Sequence, residues 1–346
     1  MPYFSDLPVE VKRRLVHYFE KKPVGTKIKF GESIALDPSH SYVLKNSYIK
    51  LEKDIYALAK GTGAILGEGA FGKAKYARSL SSDQVSVIKI IPFKPSDKEL
   101  DVIGNELIIL YDLGLYRDTG ARDYGEQTKQ YIVMADAGMS LDKYIRLHPK
   151  LTASERIDLA IKLCSLIYNL HQGISSRTLH PYAHRDLKPA NVALSSTGTM
   201  RLIDVGIASD KPDTLPAEFA GAPGYLPNIM TFLESGITLK HLDILALKRM
   251  VHMPSKMLCM EGYKEDNTGK HFGLPMLLSL ATLKELKILA HFDTSALGPK
   301  QSTLKKHQYT GDPLILASLL VLARYGLMET YAASHGEPKA RASSPW

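Results

Sequence analysis

Cysteine is nearly absent from this sequence. Its 346 residues hold two, Cys164 and Cys259, which excludes a disulfide scaffold and a cysteine zinc cluster and reads as a reducing compartment. Long apolar runs are also missing. The greasiest stretch, LILASLLVLA at 314–323, falls short of the roughly 18 residues of a membrane span. The N-terminal stretch MPYFSDLPVEVKRR has no apolar signal core. These absences lead us to expect a soluble, cytoplasmic chain with no membrane span. No internal repeat is visible. Acidic residues fall short of basic ones, 36 against 44, for a net charge of +8. That surplus attracts anions, but it reads as a solvated surface rather than a nucleic-acid interface. The 45% hydrophobic and 23% charged content is that of a globular chain able to bury a large core.

The hydrophobic period changes along the chain. Residues 6–22 read as an amphipathic helix capped by Asp6, with Pro8 in its first turn and Leu15, Tyr18 and Phe19 on one face. Residues 27–60 break into short β-rich runs at Gly31, Pro38 and Asn46. Two apolar runs then flank a glycine-rich turn in AILGEGAFGKAKYAR, and VSVIKII (85–91) reads as a buried strand. Residues 97–113 have helical spacing, and ARDYG and QYIVMAD read as two further strands. From Leu141 the pattern is mostly helical. Its strongest helix, 151–172, is capped by Thr152 or Ser154 and buries Ile157, Ala160, Ile161, Cys164 and Ile167, which makes Cys164 a core residue. NVALSS and MRLIDVG form a hairpin within this half. The expectation is an α+β chain of two lobes.

Chemistry concentrates at a few motifs. GEGAFG, with Gly67, Gly69 and Gly72, joins strand to strand. Three glycines around Phe71 fit a flap whose backbone N–H groups face phosphates better than they fit a plain hairpin turn. Lys89 sits 22 residues after Gly67 in an apolar strand, where an ammonium is costly unless paired. Glu106, 17 residues on in NELIIL, is the suitable partner; Glu99 competes. The strongest signal is HRDLKPAN, from His184 to Asn191.

With these motifs in this order, the sequence resembles the eukaryotic-type Ser/Thr protein kinase family over roughly residues 60–250. The resemblance implies a bilobal fold: a β-rich small lobe with one main helix over 60–134, and a mostly helical large lobe over 135–330. A segment of one helix and short strands (1–59) precedes them and a flexible tail (331–346) follows. It implies ATP and Mg²⁺ as cofactors, with Mn²⁺ as a substitute, a protein substrate and a regulatory protein partner. Asp186 would orient the acceptor hydroxyl and take its proton, and Lys188 would place a positive charge by the transferring group. Asn191 and Asp204 would hold the metal, and Lys89 with Glu106 would face the phosphates. Leu66, Gly67, Gly69, Gly72, Ala74, Val87 and Ala193 would surround the nucleotide. Met134 would guard the back of its pocket, and the backbone of Asp136 and Ala137 would bond the adenine edge. Ala193, small where the family carries leucine, would leave the floor of that pocket open. Asp243 would anchor the backbone of the catalytic loop, and Arg185 would pair with a phosphate on Thr214, with Ser209 as the other available hydroxyl.

The sequence also departs from the family pattern. The family's Ala-Pro-Glu is replaced around Pro227 and Asn228, its activation-segment threonine by Ala222, and its Asp-Phe-Gly phenylalanine by Val205. The stretch QGISSRTLHPYA is about six residues longer than the family's. His180 and His184 do not read as a metal site. This divergence resembles kinases that intracellular bacteria inject into host cells, which offers an alternative location reached without a signal peptide. The alternatives in function are a pseudokinase-like scaffold and a kinase-fold enzyme acting on a small molecule or lipid. All of Lys89, Asp186, Asn191 and Asp204 are present, which argues against the scaffold.

Overall fold

A computed structural model describes residues 4–69, 72–94, 97–218, 220–225 and 238–251. The expectations for Phe71, Pro227, Asn228, Cys259, the 314–323 run and the tail lie outside these residues, as do those for the side chains of Glu99 and Ile157. The chain divides into two compact units, one ending at Asp136 and the other beginning at Ala137. Among the described residues no helix is long and apolar enough to cross a membrane.

The first unit opens with α1 (Val9–Glu20) and five short strands: β1 (Lys27–Ile28), β2 (Ser33–Ala35), β3 (Ser41–Val43), β4 (Ser47–Lys50) and β5 (Ile55–Leu58). It continues through β6 (Ile65–Gly69), β7 (Gly72–Ser79), β8 (Val85–Phe93), α2 (Asp97–Asp112), β9 (Tyr116–Asp123) and β10 (Thr128–Ala135). Eight strands form one sheet in the order β1-β4-β5-β7-β8-β10-β9, with β6 on β7; β2 and β3 pair separately. The segment before Lys60 therefore supplies three strands of the same sheet. β9 begins five residues before the ARDYG run, and Tyr124 and Gly125 lie in the turn that follows it.

The i, i+4 spacing of Val11, Leu15 and Phe19 turns one face of α1 inward. These three are buried with Ile28, Ile34, Leu44, Tyr48, Ile55, Ala57 and Leu80. At about 1.5–3 kcal/mol per fully buried large side chain, this cluster holds α1 without a side-chain cap. Pro8, not Asp6, occupies the cap position and makes no side-chain hydrogen bond there. Asp6 instead lies 3.5 Å from Arg78. Tyr18 is exposed and packs edge-on against Phe19.

Cross-strand partners share a face of the sheet. One face buries Ile49, Leu51, Tyr56, Leu58, Ala77, Ile88, Tyr131 and Val133. Asp118 of β9 pairs with Val133 and belongs to that face. Its fully buried carboxylate accepts the backbone N–H groups of Lys53, Asp54 and Thr119 and the Tyr56 hydroxyl. Burial still pushes its pKa upward. The bonds fasten the β4–β5 turn to β9, which curls the sheet.

The second unit contains β11 (Met139–Ser140), α3 (Leu141–Leu147), α4 (Ala153–His171), β12 (Val192–Leu194), β13 (Met200–Leu202) and α5 (Leu239–Val251). Thr152, not Ser154, caps α4 in a capping box with Glu155. Its buried stripe is Leu159, Ala160, Leu163, Cys164, Ile167 and Leu170, while Ile161 is only half-buried. Burial pushes the Cys164 thiol pKa far up, so it is a core thiol and not a nucleophile. The expected hairpin is β12–β13, and β11 adds an unexpected third strand.

Asp118→Ala leaves three backbone N–H groups without their acceptor. Unfolding of the full chain in urea should show a loss of about 2–5 kcal/mol, and Asp118→Asn should recover part of it.

Candidate active site

In the first unit the site residues lie on the sheet face opposite the buried cluster. The ladder aligns Gly67, Ala74, Lys89 and Ile132 in one row and Tyr76, Val87 and Met134 in the next. Lys89 is almost entirely buried, and its ammonium donates to Glu106 Oε1 of α2 at 2.7 Å. Of the two candidate partners, Glu106 is the one shown in contact. Removing one partner of such a pair strands a buried charge. Leu66 falls at a register irregularity between Ile65 and Gly67, which leaves it unpaired and partly exposed. Gly72 has φ +103°, and a Cβ there would meet the Ile90 carbonyl oxygen at 2.2 Å. The start of β7 therefore needs glycine at this position, where it approaches β8. Met134 is buried at the end of β10, with Asp136 and Ala137 just beyond it. Tyr76 is the residue that sequence reading missed on this face. Its alternation with Ala74 was the available signal, and burial, with the charge of Asp136 after it, raises its pKa.

In the second unit the loop from His184 to Asn191 is fastened by one carboxylate. Asp243 of α5, 1% exposed, accepts the backbone N–H of His184 at 2.6 Å and that of Arg185 at 2.8 Å. His171 at the end of α4 meets the same carboxylate through Nε2 at 3.0 Å. His171 was not foreseen; 72 residues separate it from Asp243, and no spacing rule joins them. His184 is fully buried. Its Nε2–H donates to the Ile203 carbonyl and its Nδ1 accepts the Asp186 N–H. Arg185 takes the left-handed conformation, φ +70°, a cost that persists only when neighbours over-determine it.

Asp186 follows, largely buried. Its Oδ2 accepts from Lys188 Nζ at 2.7 Å and from Asn191 Nδ2 at 2.8 Å. Its Oδ1 is buried without a hydrogen-bond partner. Asn191 also donates to the Asp186 carbonyl at 2.9 Å, which leaves its own side-chain oxygen turned to acceptor duty. The Ile203 N–H bonds the Asn191 carbonyl at 2.9 Å, so Asp204, φ +59°, lies at the open end of the β12–β13 hairpin beside Asn191. The hairpin's own tip is the Ser195–Thr199 turn at the other end. Among the described residues no group of three or more His, Cys, Asp or Glu could hold a metal ion. Asn191 and Asp204 fit an ion whose remaining ligands come from phosphate oxygens and water. His180 bonds the Asp210 carbonyl through Nε2 at 2.9 Å instead.

Ala193 of β12 is fully buried and pairs with Ser140 and Arg201. Arg185 has a carboxylate beside it, Glu218 Oε1 at 3.7 Å, and donates to the Ile207 carbonyl at 3.2 Å. Thr214 is turned elsewhere, its hydroxyl on the Lys211 carbonyl at 2.8 Å and its own carbonyl on the α5 terminus at Leu239.

A family model described as the protein kinase domain matches residues 61–278. The chain is 32% identical over 136 residues to a probable serine/threonine-protein kinase, PknB, of Lactococcus lactis, covering 38% of this chain and 21% of that protein. It is 32% identical over 146 residues to serine/threonine-protein kinase 36 of Mus musculus, covering 42% of this chain and 11% of that one. It is 29% identical over 154 residues to the serine/threonine-protein kinase hippo of Drosophila melanogaster, with 43% and 21% covered. The aligned part thus spans about a fifth or less of these relatives. The family model covers well over half of the chain in sequence order from the glycine-rich turn onward, and on that ground the chain belongs to the protein kinase domain family.

Proposed function

We propose that this chain transfers the γ-phosphate of ATP to Ser or Thr hydroxyls of a protein substrate. The observation that carries this is the Asp186 carboxylate: one oxygen is held by Lys188 and Asn191 while the other, buried, has no partner. Such an uncommitted oxygen would accept the proton of a substrate hydroxyl once bound substrate displaces the groups that cover it. Lys188 would remain beside the transferring group, which favours Ser/Thr acceptors. Lys89, fixed by Glu106, would meet the nucleotide phosphates. Mg²⁺, or Mn²⁺ in its place, would be held by Asn191 and Asp204 and would neutralise phosphate charge when bound. Kinases of this family act by positioning and charge neutralisation, and every side chain this requires is present here.

Incubation with γ-labelled ATP, Mg²⁺ and a generic basic protein should label serine or threonine. Asp186→Ala should cut turnover by about two orders of magnitude or more and leave ATP binding nearly intact. Asp204→Ala should abolish Mg²⁺-dependent ATP binding. Wild-type turnover in both variants would refute the assignment.

The Arg185–Glu218 contact bears on regulation. A carboxylate already faces the arginine of the catalytic loop, so activity should not require a phosphate on Thr214. Thr214→Ala should keep wild-type turnover. Glu218→Gln should lower turnover by about threefold, the worth of a partly exposed ion pair. Loss of activity in the threonine variant would show that phosphorylation is needed after all.

The full burial of Ala193 reverses the simple expectation from size. Ala193→Leu should overpack the β12 region by about 1–3 kcal/mol and weaken ATP binding in calorimetry.

A further inference from the structure

The sheet face turned away from Lys89 buries a hydrocarbon cluster and carries charge beside it. Lys73 and Lys75 alternate with Ala74 on β7, so they share the face of Ala77, Ile88 and Ile90. Lys129 pairs with Pro92 and with Arg122, which puts both on this face beside Tyr131. Lys27 pairs with Ile49 and joins them. Five cations from four strands thus line one rim of the cluster that buries Ile49, Tyr56, Ile88 and Tyr131.

These charges are close enough to feel one another. Loss of solvent depresses the pKa of Lys27, and the charges of Lys75, Lys129 and Lys29 depress it further; Lys75 is depressed by desolvation and by Lys73. Carboxylates do little to relieve them. Lys73 pairs with Glu68 at 2.9 Å; among the described residues Lys27, Lys75 and Lys129 have no carboxylate partner. Lys129 and Arg122 both lie over the Tyr124 ring, at 4.9 and 5.3 Å, and the Tyr124 hydroxyl meets that of Tyr131 at 3.2 Å. That bond uses one of the two hydroxyl hydrogens, so one hydroxyl donor is left among the cations. A surface meant only for solvation intersperses both signs of charge; here one sign is gathered.

We propose that this rim is an anion site, separate from the nucleotide face, for a compact ligand bearing several clustered phosphates. The cations come from four separate strands of one sheet face, with Lys129 and Arg122 over a single ring, and such a clustered array suits a compact ligand better than a polymer strand. A soluble polyphosphorylated small molecule and the headgroup of a phosphoinositide share this chemistry.

The test titrates the full chain by calorimetry with inositol hexakisphosphate and with tripolyphosphate. Salt is held at about 0.15 M to screen diffuse charge, and a non-hydrolysable ATP analogue with Mg²⁺ is kept saturating so that the nucleotide face is filled. Wild type should bind at least one probe. The Lys27→Gln/Lys75→Gln/Lys129→Gln variant should bind at least tenfold more weakly while melting no lower than wild type, since its substitutions remove repulsion. Lys75→Gln alone should weaken binding measurably. A control that removes the same charge elsewhere, Lys21→Gln/Lys22→Gln/Lys45→Gln, should bind as wild type does. Vesicles of phosphatidylcholine with and without phosphatidylinositol bisphosphate then separate the two sources. Retention only on the phosphoinositide vesicles assigns a headgroup, and soluble binding without vesicle binding assigns a free ligand. The proposal falls if neither probe binds, if the analogue abolishes binding, if the control variant loses as much as the rim variant, or if single-stranded oligonucleotide binds in place of the compact probes.

Discussion

One buried carboxylate organises the second unit. Asp243 takes two consecutive backbone N–H groups, from His184 and Arg185, and the ring of His171. Consecutive N–H groups can converge on one acceptor only if the chain between them bends sharply, and Arg185 accordingly adopts a left-handed conformation. That bend aims Asp186 back toward Lys188 and Asn191. An alternative acceptor of equal strength for two buried N–H groups is not available from solvent, so the loop's conformation follows from the carboxylate's position on α5. α4 and α5 are joined through the same group, because His171 ends one helix and Asp243 lies within the other.

The first unit has its own counterpart in Asp118. A charged group at zero exposure is tolerated because three N–H groups and a tyrosine hydroxyl surround it. Its effect is topological. By holding the β4–β5 turn against β9 it makes the N-terminal strands a cover for the sheet face that does not carry Lys89. The two faces then do different work: one is packed with Ile49, Leu58, Ile88 and Val133, and the other presents Lys89 and its neighbours. Residues 1–60, outside the family match, are thereby continuous with the matched sheet.

Charge is handled differently at the two catalytic-type clusters. Lys89 and Glu106 neutralise one another at 2.7 Å in a nearly dry setting, which fixes the ammonium's position at the expense of desolvating both groups. Asp186 keeps one oxygen uncommitted, which is the opposite arrangement. The difference fits the proposed phosphoryl transfer, which would ask for a rigid cation in one case and an uncommitted acceptor in the other.

Local chemistry was legible without coordinates wherever it depended on near neighbours in the chain. The glycine turn, the Lys89 strand, the Thr152 cap and the β12–β13 hairpin rest on residue type and spacing within about ten residues, and all appear in the structure. Asp6 failed as a cap because Pro8 sets the start of α1, a competition among adjacent signals that sequence alone leaves open. Other features depended on residues far apart in sequence. The His171–Asp243 contact spans 72 positions, Asp118 bonds residues 64 and 65 positions away, and Glu218 meets Arg185 across the loop between them. The full burial of Ala193 likewise depends on what packs over it. Side-chain spacing encodes a helix or a strand because those repeats are local; which buried donor finds which acceptor is decided only when the elements pack.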